Sequence, residues 1–306
     1  MGVGVLKQII ASGKLLVSRN IKELRADAML GRYYGTEASG EGEYPAPEGD
    51  YCEIVTVAFN NSRVIDYQIT MLRRFFKTPF RYTVYDNSTN EEESKRIQEV
   101  CRMRNNGYVR LPKQYCIKPG MASYSHGIAL NWIWKNRVSR SSAKYLAILD
   151  HDIFPVQDFY VEEYLADQPV YGLVWQAKKS SRVKEVVWHL WAGFGYFRME
   201  YLRNKRIDFR PDWNKNADTG ARNYEALYRK LDPVAIKTVK DKFFRFDTDS
   251  PWENGYGWFD CGWIHMWNGS NYTGSDKWEQ KMDNIVCLLN SHLEEYAGTD
   301  ETRCKG

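Results

Sequence analysis

Short apolar runs alternate with amphipathic stretches between residues 53 and 149, and this alternation restricts the chain to few folds. Four runs rich in β-branched, aromatic or aliphatic residues predict buried strands: EIVTVAF (53–59), FRYTVY (80–85), YVRL (108–111) and KYLAIL (144–149). Periodic apolar residues or a capping turn predict helices between them: from Ser62 to Thr78-Pro79, from Glu91, and over 127–138. Apolar strands that alternate with helices are typical of a mostly parallel sheet with helices on both faces. We therefore expect an α/β fold.

The sequence on either side of residues 53–149 predicts where the domain begins and what its second half contains. Residues 31–50 are rich in Gly, Pro and Glu, so we interpret 1–50 as an N-terminal extension and linker ahead of a single domain over 51–306. Beyond residue 160 the pattern loosens into aromatic, Gly-containing segments, with helices predicted at 222–231 and 276–293. Tyr, Phe and Trp make up 15% of the chain, and such rings suit either a core or flat ligands such as sugars.

Charge, apolar content and cysteine spacing exclude several classes of protein. The net charge of +4 is too small and dispersed to indicate a nucleic-acid partner, and no apolar stretch is long enough for a transmembrane segment. Six cysteines without a C-x-x-C pair argue against a zinc ribbon or disulfide scaffold and favour a reduced, cytoplasmic setting. The start, MGVGVLKQIIASGKLLVSRN, lacks a signal-peptide pattern; it leaves open a helix that touches a membrane peripherally or packs on the domain itself.

Polar side chains follow the predicted strands, and the sharpest cluster is Asp150-His151-Asp152. Ligands of open parallel sheets bind outside the carboxyl ends of the strands, where this cluster falls. Alternate residues of an extended segment point the same way, so both carboxylates can face one site. Hard oxygen donors suit Mn²⁺ or Mg²⁺ shared with phosphate oxygens, whereas the structural alternative is a loop cap or a pair of salt bridges. We favour metal binding.

With this motif, residues 52–295 resemble the GT-A-type glycosyltransferases, similar to the large inverting family with a D-x-D motif. VTVAFNN resembles the first strand and loop of the family, VYDNST its second-strand motif, and Ser125-His126-Gly127 the segment that lines the nucleotide. The resemblance implies a Rossmann-like, nucleotide-binding half over 51–156 and an irregular, aromatic acceptor half over 157–306 that ends in a helix. It also implies that the donor is held by Asn60, Asp86, His126 and Asp150, and the metal by Asp150 and Asp152.

The second half offers further matches to the family. Trp188 to Gly195 resembles its glycine-containing loop, which implies acceptor-binding residues Trp188, His189, Trp191 and Gly193. Asp218 best matches the catalytic base, although the usual Glu-Asp pair is absent. His265 resembles the late metal ligand, and the donor phosphates would be held by Gly269, Ser270 and Lys277.

Each of these residues has a structural alternative. Asp218 can cap a helix that begins near Arg222, and His189 is a rival base because its pKa suits proton removal near neutral pH. His265 lies in an aromatic run, where a lone histidine is often a hydrogen-bonded core residue. The tryptophans can equally belong to the core.

These observations predict a glycosyltransferase that needs Mn²⁺ or Mg²⁺ and moves a sugar from a nucleoside-diphosphate sugar, UDP-sugars first among them, to a hydroxyl of a glycan or similar acceptor. The resemblance implies inversion. One alternative is a nucleotidyltransferase that makes sugar nucleotides, which would carry a Gly-rich basic loop where this chain has AFNNSRV. A non-catalytic carbohydrate-binding protein would explain the tryptophans but would not need the acidic pair.

Overall fold

The computed structural model describes residues 29–40, 45–114, 121–177, 186–246, 254–267 and 276–303. Within these ranges the strands are β1 (Cys52–Ala58), β2 (Phe80–Asp86), β3 (Gly107–Arg110), β4 (Tyr145–Asp150), β5 (Ile153–Pro155), β6 (Val170–Gln176), β7 (Trp188–Arg198), β8 (Asp241–Arg245), β9 (Gly255–Phe259) and β10 (Trp263–His265). The α-helices are α1 (Ser62–Phe75), α2 (Glu91–Met103), α3 (Ala122–Asn136), α4 (Val161–Leu165), α5 (Met199–Leu202) and α6 (Asp276–Arg303).

A six-stranded sheet in the order β3-β2-β1-β4-β7-β6 forms the centre of the molecule. Strands β3, β2, β1 and β4 run parallel to one another, and β7 runs antiparallel to both of its neighbours, β4 and β6. Strand β6 therefore points the same way as the parallel strands, and β7 alone is reversed. The prediction of an α/β fold with a mostly parallel sheet is confirmed.

Helices cover both faces of this sheet because the side chains of each strand alternate between them. On one face, Val55 and Val57 of β1 share a core with Ile128 of α3. On the other face, Ile54 of β1 shares a core with Ile65 of α1. Helix α1 begins after Asn61, whose side chain accepts a hydrogen bond from the backbone N–H of Val64 (3.1 Å), and α2 begins after Asn90, which caps it in the same way.

A second, antiparallel sheet in the order β5-β10-β9-β8 packs beside the first, and local sequence patterns did not predict it. The apolar stripe of α6 covers part of this region, with Trp278, Met282, Ile285 and Leu289 buried against α1 and Ile264 of β10. The strands escaped notice because their aromatic and glycine residues are signals shared by loops and cores.

One prediction for the second half is wrong and another differs in detail. Residues 188–195 belong to strand β7 and not to a loop, because this run pairs with β4 on one side and β6 on the other. The helix predicted at 222–231 is present in a shorter, non-α form: a 3₁₀ helix (Ala221–Asn223) leads into a π-helical turn (Tyr224–Tyr228). Apolar residues of this segment, such as Leu227, recur along the sequence because one side of the segment faces the core.

Residues 29–40 contribute to the domain ahead of β1. Leu30 and Tyr33 are buried in the core that contains α3, and the backbone of Ser39 exchanges two hydrogen bonds with Arg110 at the β3 edge (2.7 and 3.1 Å). This segment covers the outer edge of the sheet next to β3. None of the helices in the described part of the chain is long and apolar enough to cross a membrane.

Candidate active site

A cavity of 880 Å³ opens at the edge of the central sheet where β1, β2, β3, β4 and β6 end. This is the edge at which open parallel sheets bind their ligands, and the volume is typical of a small-molecule site. Of the residues singled out from the sequence, the cavity is lined by His126, Asp150, Asp152, Trp191, Asp218 and His265. The fold therefore brings together side chains from both halves of the chain.

Asp150 is the last residue of β4, and its carboxylate reaches the cavity with about a quarter of the side chain exposed (25%). The turn after it is held by Gln68 of α1, whose buried side-chain amide donates to the carbonyls of Asp150 (2.7 Å) and Ile153 (2.9 Å). His126 Nε2 lies 3.6 Å from Asp150 Oδ1. Burial raises the pKa of Asp150; His126 opposes this shift and the nearby Asp152 carboxylate adds to it.

Asp152 lies in the turn after β4 and faces His265 of β10 across the junction between the two sheets. Its Oδ1 is 3.6 Å from His265 Nε2, and the backbone N–H of Met266 donates to the Asp152 carbonyl (2.9 Å). Both side chains are largely buried, with residue exposures of 4% for Asp152 and 9% for His265. A separation of 3.6 Å is longer than a hydrogen bond but can be spanned by two ligands of one cation.

The donor chemistry of this pair fits the Mn²⁺ or Mg²⁺ ion that the resemblance implies. Among the residues that the structure describes, no three acidic, histidine or cysteine side chains converge as a complete metal site. Mg²⁺-type ions are commonly held by one or two carboxylates, with water and substrate phosphate oxygens as the other ligands. Imidazole beside carboxylate suits Mn²⁺ in particular. Asp152 and His265 would therefore be two protein ligands of an ion whose other ligands are water and phosphate oxygens of the substrate.

His151, between the two aspartates, also lines the cavity. Burial lowers the pKa of His151, and its Nδ1 accepts a hydrogen bond from the backbone N–H of Phe59 (3.3 Å). This contact ties the acidic turn to the loop after β1.

At the β2–β3 end of the cavity, Asp86 lies beneath the lining residues and is not one of them. Asp86 is fully buried and accepts hydrogen bonds from Tyr108 and Arg110 (both 2.9 Å) and from the backbone N–H of Ser88 (2.8 Å). Arg110, which the sequence analysis did not select, lines the cavity and also donates to the Ser88 carbonyl (2.8 Å). Asp86 therefore holds the Arg110 guanidinium in position at the surface of the cavity.

Asn60 likewise supports the wall. Its backbone has a positive φ of 50°, a conformation that asparagine tolerates better than most residues. Its side-chain oxygen accepts from the backbone N–H groups of Thr89 and Asn90 (both 2.9 Å). Asn60 therefore joins the loops after β1 and β2, and Thr89 is the residue of this set that lines the cavity.

Asp218 and its neighbour Thr219 also line the cavity. The Asp218 carboxylate accepts from the backbone N–H of Thr219 (2.8 Å), and the 3₁₀ turn that begins at Ala221 has no side-chain cap. The capping alternative for Asp218 is therefore not seen. His189 is buried (1% exposed), no described residue hydrogen-bonds to its ring nitrogens, and burial lowers its pKa to about 4.

Trp188, Trp191 and Gly193 lie on β7 in different environments. Trp188 is a core residue, with its ring centroid 5.1 Å from that of Tyr228. Trp191 lines the cavity, and its ring centroid is 4.8 Å from that of His265. Gly193 leaves room for two neighbours: a Cβ there would lie 2.4 Å from Trp191 Cζ2 and 2.6 Å from Asp150 Oδ2.

Gly269 and Ser270 lie outside the described residues, and so does the side chain of Lys277. Their assignment to the donor phosphates stays a prediction. Trp175, at the end of β6, lines the cavity but was missed because a single tryptophan in an aromatic-rich segment carries no distinguishing signal.

No protein-family model and no curated protein matches this sequence. Partial structural matches include S. aureus TarS 1–349 in complex with UDP (TM-score 0.33, 14% identity, 54% of this chain and 53% of that chain). The mannosyltransferase PcManGT from Pyrobaculum calidifontis, in complex with GDP-Man and Mn²⁺, matches with a TM-score of 0.34 and 11% identity over 62% of this chain and 55% of that chain.

A third match is glucosyl-3-phosphoglycerate synthase from Mycobacterium tuberculosis with Mn²⁺ and uridine-diphosphate-glucose (TM-score 0.31, 16% identity, 50% of this chain and 58% of that chain). This chain thus spans little more than half the length of these three structures.

Proposed function

We propose that this protein is a metal-dependent glycosyltransferase that moves a sugar from a nucleoside-diphosphate sugar, a UDP-sugar by preference, to a hydroxyl acceptor. One observation carries the proposal. Asp150 and Asp152 at the end of strand β4 line a single cavity together with His265 and Asp218. This arrangement has the two parts that the reaction needs, an anionic site for a phosphate-bound cation and a separate carboxylate for the acceptor.

Asp152 and His265 would hold Mn²⁺ or Mg²⁺ with Asp150 beside them, and a bound ion would act as a Lewis acid that offsets the charge of the leaving diphosphate. Asp150 lies beside His126, with Oδ1 and Nε2 3.6 Å apart, so both side chains would border the bound diphosphate. Gly269, Ser270 and Lys277 are our candidates for direct contacts to the diphosphate.

The nucleoside would bind where β2 and β3 end. Arg110, Asn87 and Ser88 line this part of the cavity, and Asp86 and Asn60 hold the wall from behind. The guanidinium is fixed by Asp86 and by the Ser88 carbonyl, so it can present donors to a nucleobase without reorganising. In this proposal Asp86 acts through Arg110.

Asp218 would remove the proton of the acceptor hydroxyl as the new bond forms, a contribution of about 10²–10⁴-fold for general base catalysis. In the proposed reaction the acceptor hydroxyl attacks from the face away from the leaving diphosphate, and Asp218 lines the cavity in which this attack would occur. Such a displacement inverts the anomeric carbon, which NMR of the product can test.

The proposal is tested by incubating the protein with a panel of nucleotide sugars, with and without Mn²⁺, and measuring the release of nucleoside diphosphate. We expect release that requires the metal and is lost in Asp152→Ala. Asp283→Ala is the matched control, because Asp283 is exposed on α6 and pairs with Arg63. Full activity in Asp152→Ala, or no release from any nucleotide sugar, would contradict the proposal.

A further inference from the structure

Trp175 presents an open aromatic face to the cavity. The residue is 42% exposed and lines the cavity. Its ring is stacked with that of Trp191, with centroids 6.4 Å apart and planes within 16°. Trp191 therefore supports the Trp175 ring from one side, and the exposed part of the Trp175 indole is left for a flat ligand.

The strand order determines which ligand can reach this surface. Strands β3, β2 and β1 lie on one side of β4, and β7 and β6, which carry Trp191 and Trp175, lie on the other. The groups placed near the proposed nucleoside, such as Arg110, therefore lie across Asp150 from the tryptophans. A nucleobase at the β2–β3 end cannot also stack on Trp175. The tryptophan pair is therefore left for a ligand on the other side of the transferred sugar from the nucleobase.

Polar groups line the same cavity as the tryptophans. Asp218, Thr219 and Asp241 line it together with the tryptophans. Carboxylates and a hydroxyl can accept hydrogen bonds from ligand hydroxyls, while the indole faces take apolar C–H groups. A ligand with an apolar face and a rim of hydroxyls matches this combination, and a pyranose ring has that form. An alkyl chain would leave the carboxylates without partners.

We propose that Trp175, supported by Trp191, binds a saccharide whose ring stacks on the exposed Trp175 indole and whose hydroxyls reach the carboxylates. This saccharide is the acceptor if the proposed transferase function holds, and to that extent the assignment rests on that function. Trp191 lies nearer the reacting centre, next to His265, and Trp175 is one step farther out.

The experiment measures saccharide binding without any donor, by saturation-transfer NMR with methyl glycosides and disaccharides of glucose, galactose, mannose and N-acetylglucosamine. We expect one or more of them to bind the full chain, and Trp175→Ala to weaken that binding about tenfold, as expected from losing one stacking face. Trp175→Phe should keep part of the affinity. Trp213→Ala is the control, because Trp213 is 52% exposed but packs near Tyr124 and is not among the residues that line the cavity.

The two proposals fail separately. If no saccharide of the panel binds, or if Trp175→Ala binds as tightly as the original chain, the saccharide surface is refuted whatever the enzymatic result. If saccharide binding depends on Trp175 but no nucleotide sugar releases its diphosphate, the surface stands and the transferase proposal falls. If both activities are present, Trp175→Ala should raise the acceptor KM about tenfold and leave the donor KM unchanged.

Discussion

Replacing Gly193 with alanine would displace the Asp150 carboxylate without preventing the fold. Gly193 lies in β7 and does not have a positive φ, so alanine can adopt its backbone conformation. The added Cβ would lie 2.4 Å from Trp191 Cζ2 and 2.6 Å from Asp150 Oδ2. Non-bonded carbon atoms sit comfortably at about 3.5–4.0 Å, so the two side chains together must retreat by about 1 Å.

The size of the effect follows from that displacement. Overpacking of this kind costs about 1–3 kcal/mol of the free energy of unfolding, which a domain of this size tolerates. A misplacement of about 1 Å at a reacting centre can lower the rate about 100-fold. We therefore expect Gly193→Ala to lower kcat for nucleoside-diphosphate release about 100-fold while the circular dichroism spectrum stays unchanged. If the clash is relieved mainly by Trp191, the acceptor KM should rise as well.

Gly195→Ala is the matched control on the same strand, because its Cβ would meet the ring of Phe197 at 3.1 Å, away from the acidic turn. It should alter stability only. Normal activity in folded Gly193→Ala, or an equal loss in Gly195→Ala, would refute the view that the missing Cβ positions Asp150.

Three changes should affect stability in ways that urea unfolding can measure. Asp86→Asn should cost about 3 kcal/mol, because Arg110 loses its buried anionic partner; an unchanged midpoint would contradict this role. The pKa of His189 lies near 4 in the folded protein, below its ordinary value of about 6.5, so the unfolded chain takes up the proton first. Stability should therefore fall by about 3 kcal/mol between pH 6.5 and 4, and less steeply in His189→Gln; parallel pH profiles would argue against it. Leu30→Ala should cost about 3 kcal/mol if residues 29–40 belong to the folded domain, and a negligible loss would show that they do not.

Local sequence patterns were sufficient for the first half of the fold. Strands β1 to β4 and helices α1 and α2 lie where apolar runs, helical periodicity and the polar turn before Glu91 predict them. The acidic motif could be placed at the end of β4 for the same reason, because strand ends and turns are encoded by neighbouring residues. Asp150 and Asp152 do line the cavity at that edge.

The second half depends on contacts between distant segments. Residues 188–195 and the strands from β8 to β10 combine aromatic rings with glycine, and only pairing with a partner strand distinguishes such runs from loops.

Sequence alone therefore determined the α/β class and the acidic turn, since both follow from local periodicity and strand ends. Tertiary structure decided that His265 faces Asp152, that Arg110 and not Asp86 reaches the cavity, and that Trp175 stacks on Trp191. The physical reason is that these contacts join residues far apart in the chain, so they exist only once strand order and register have been set.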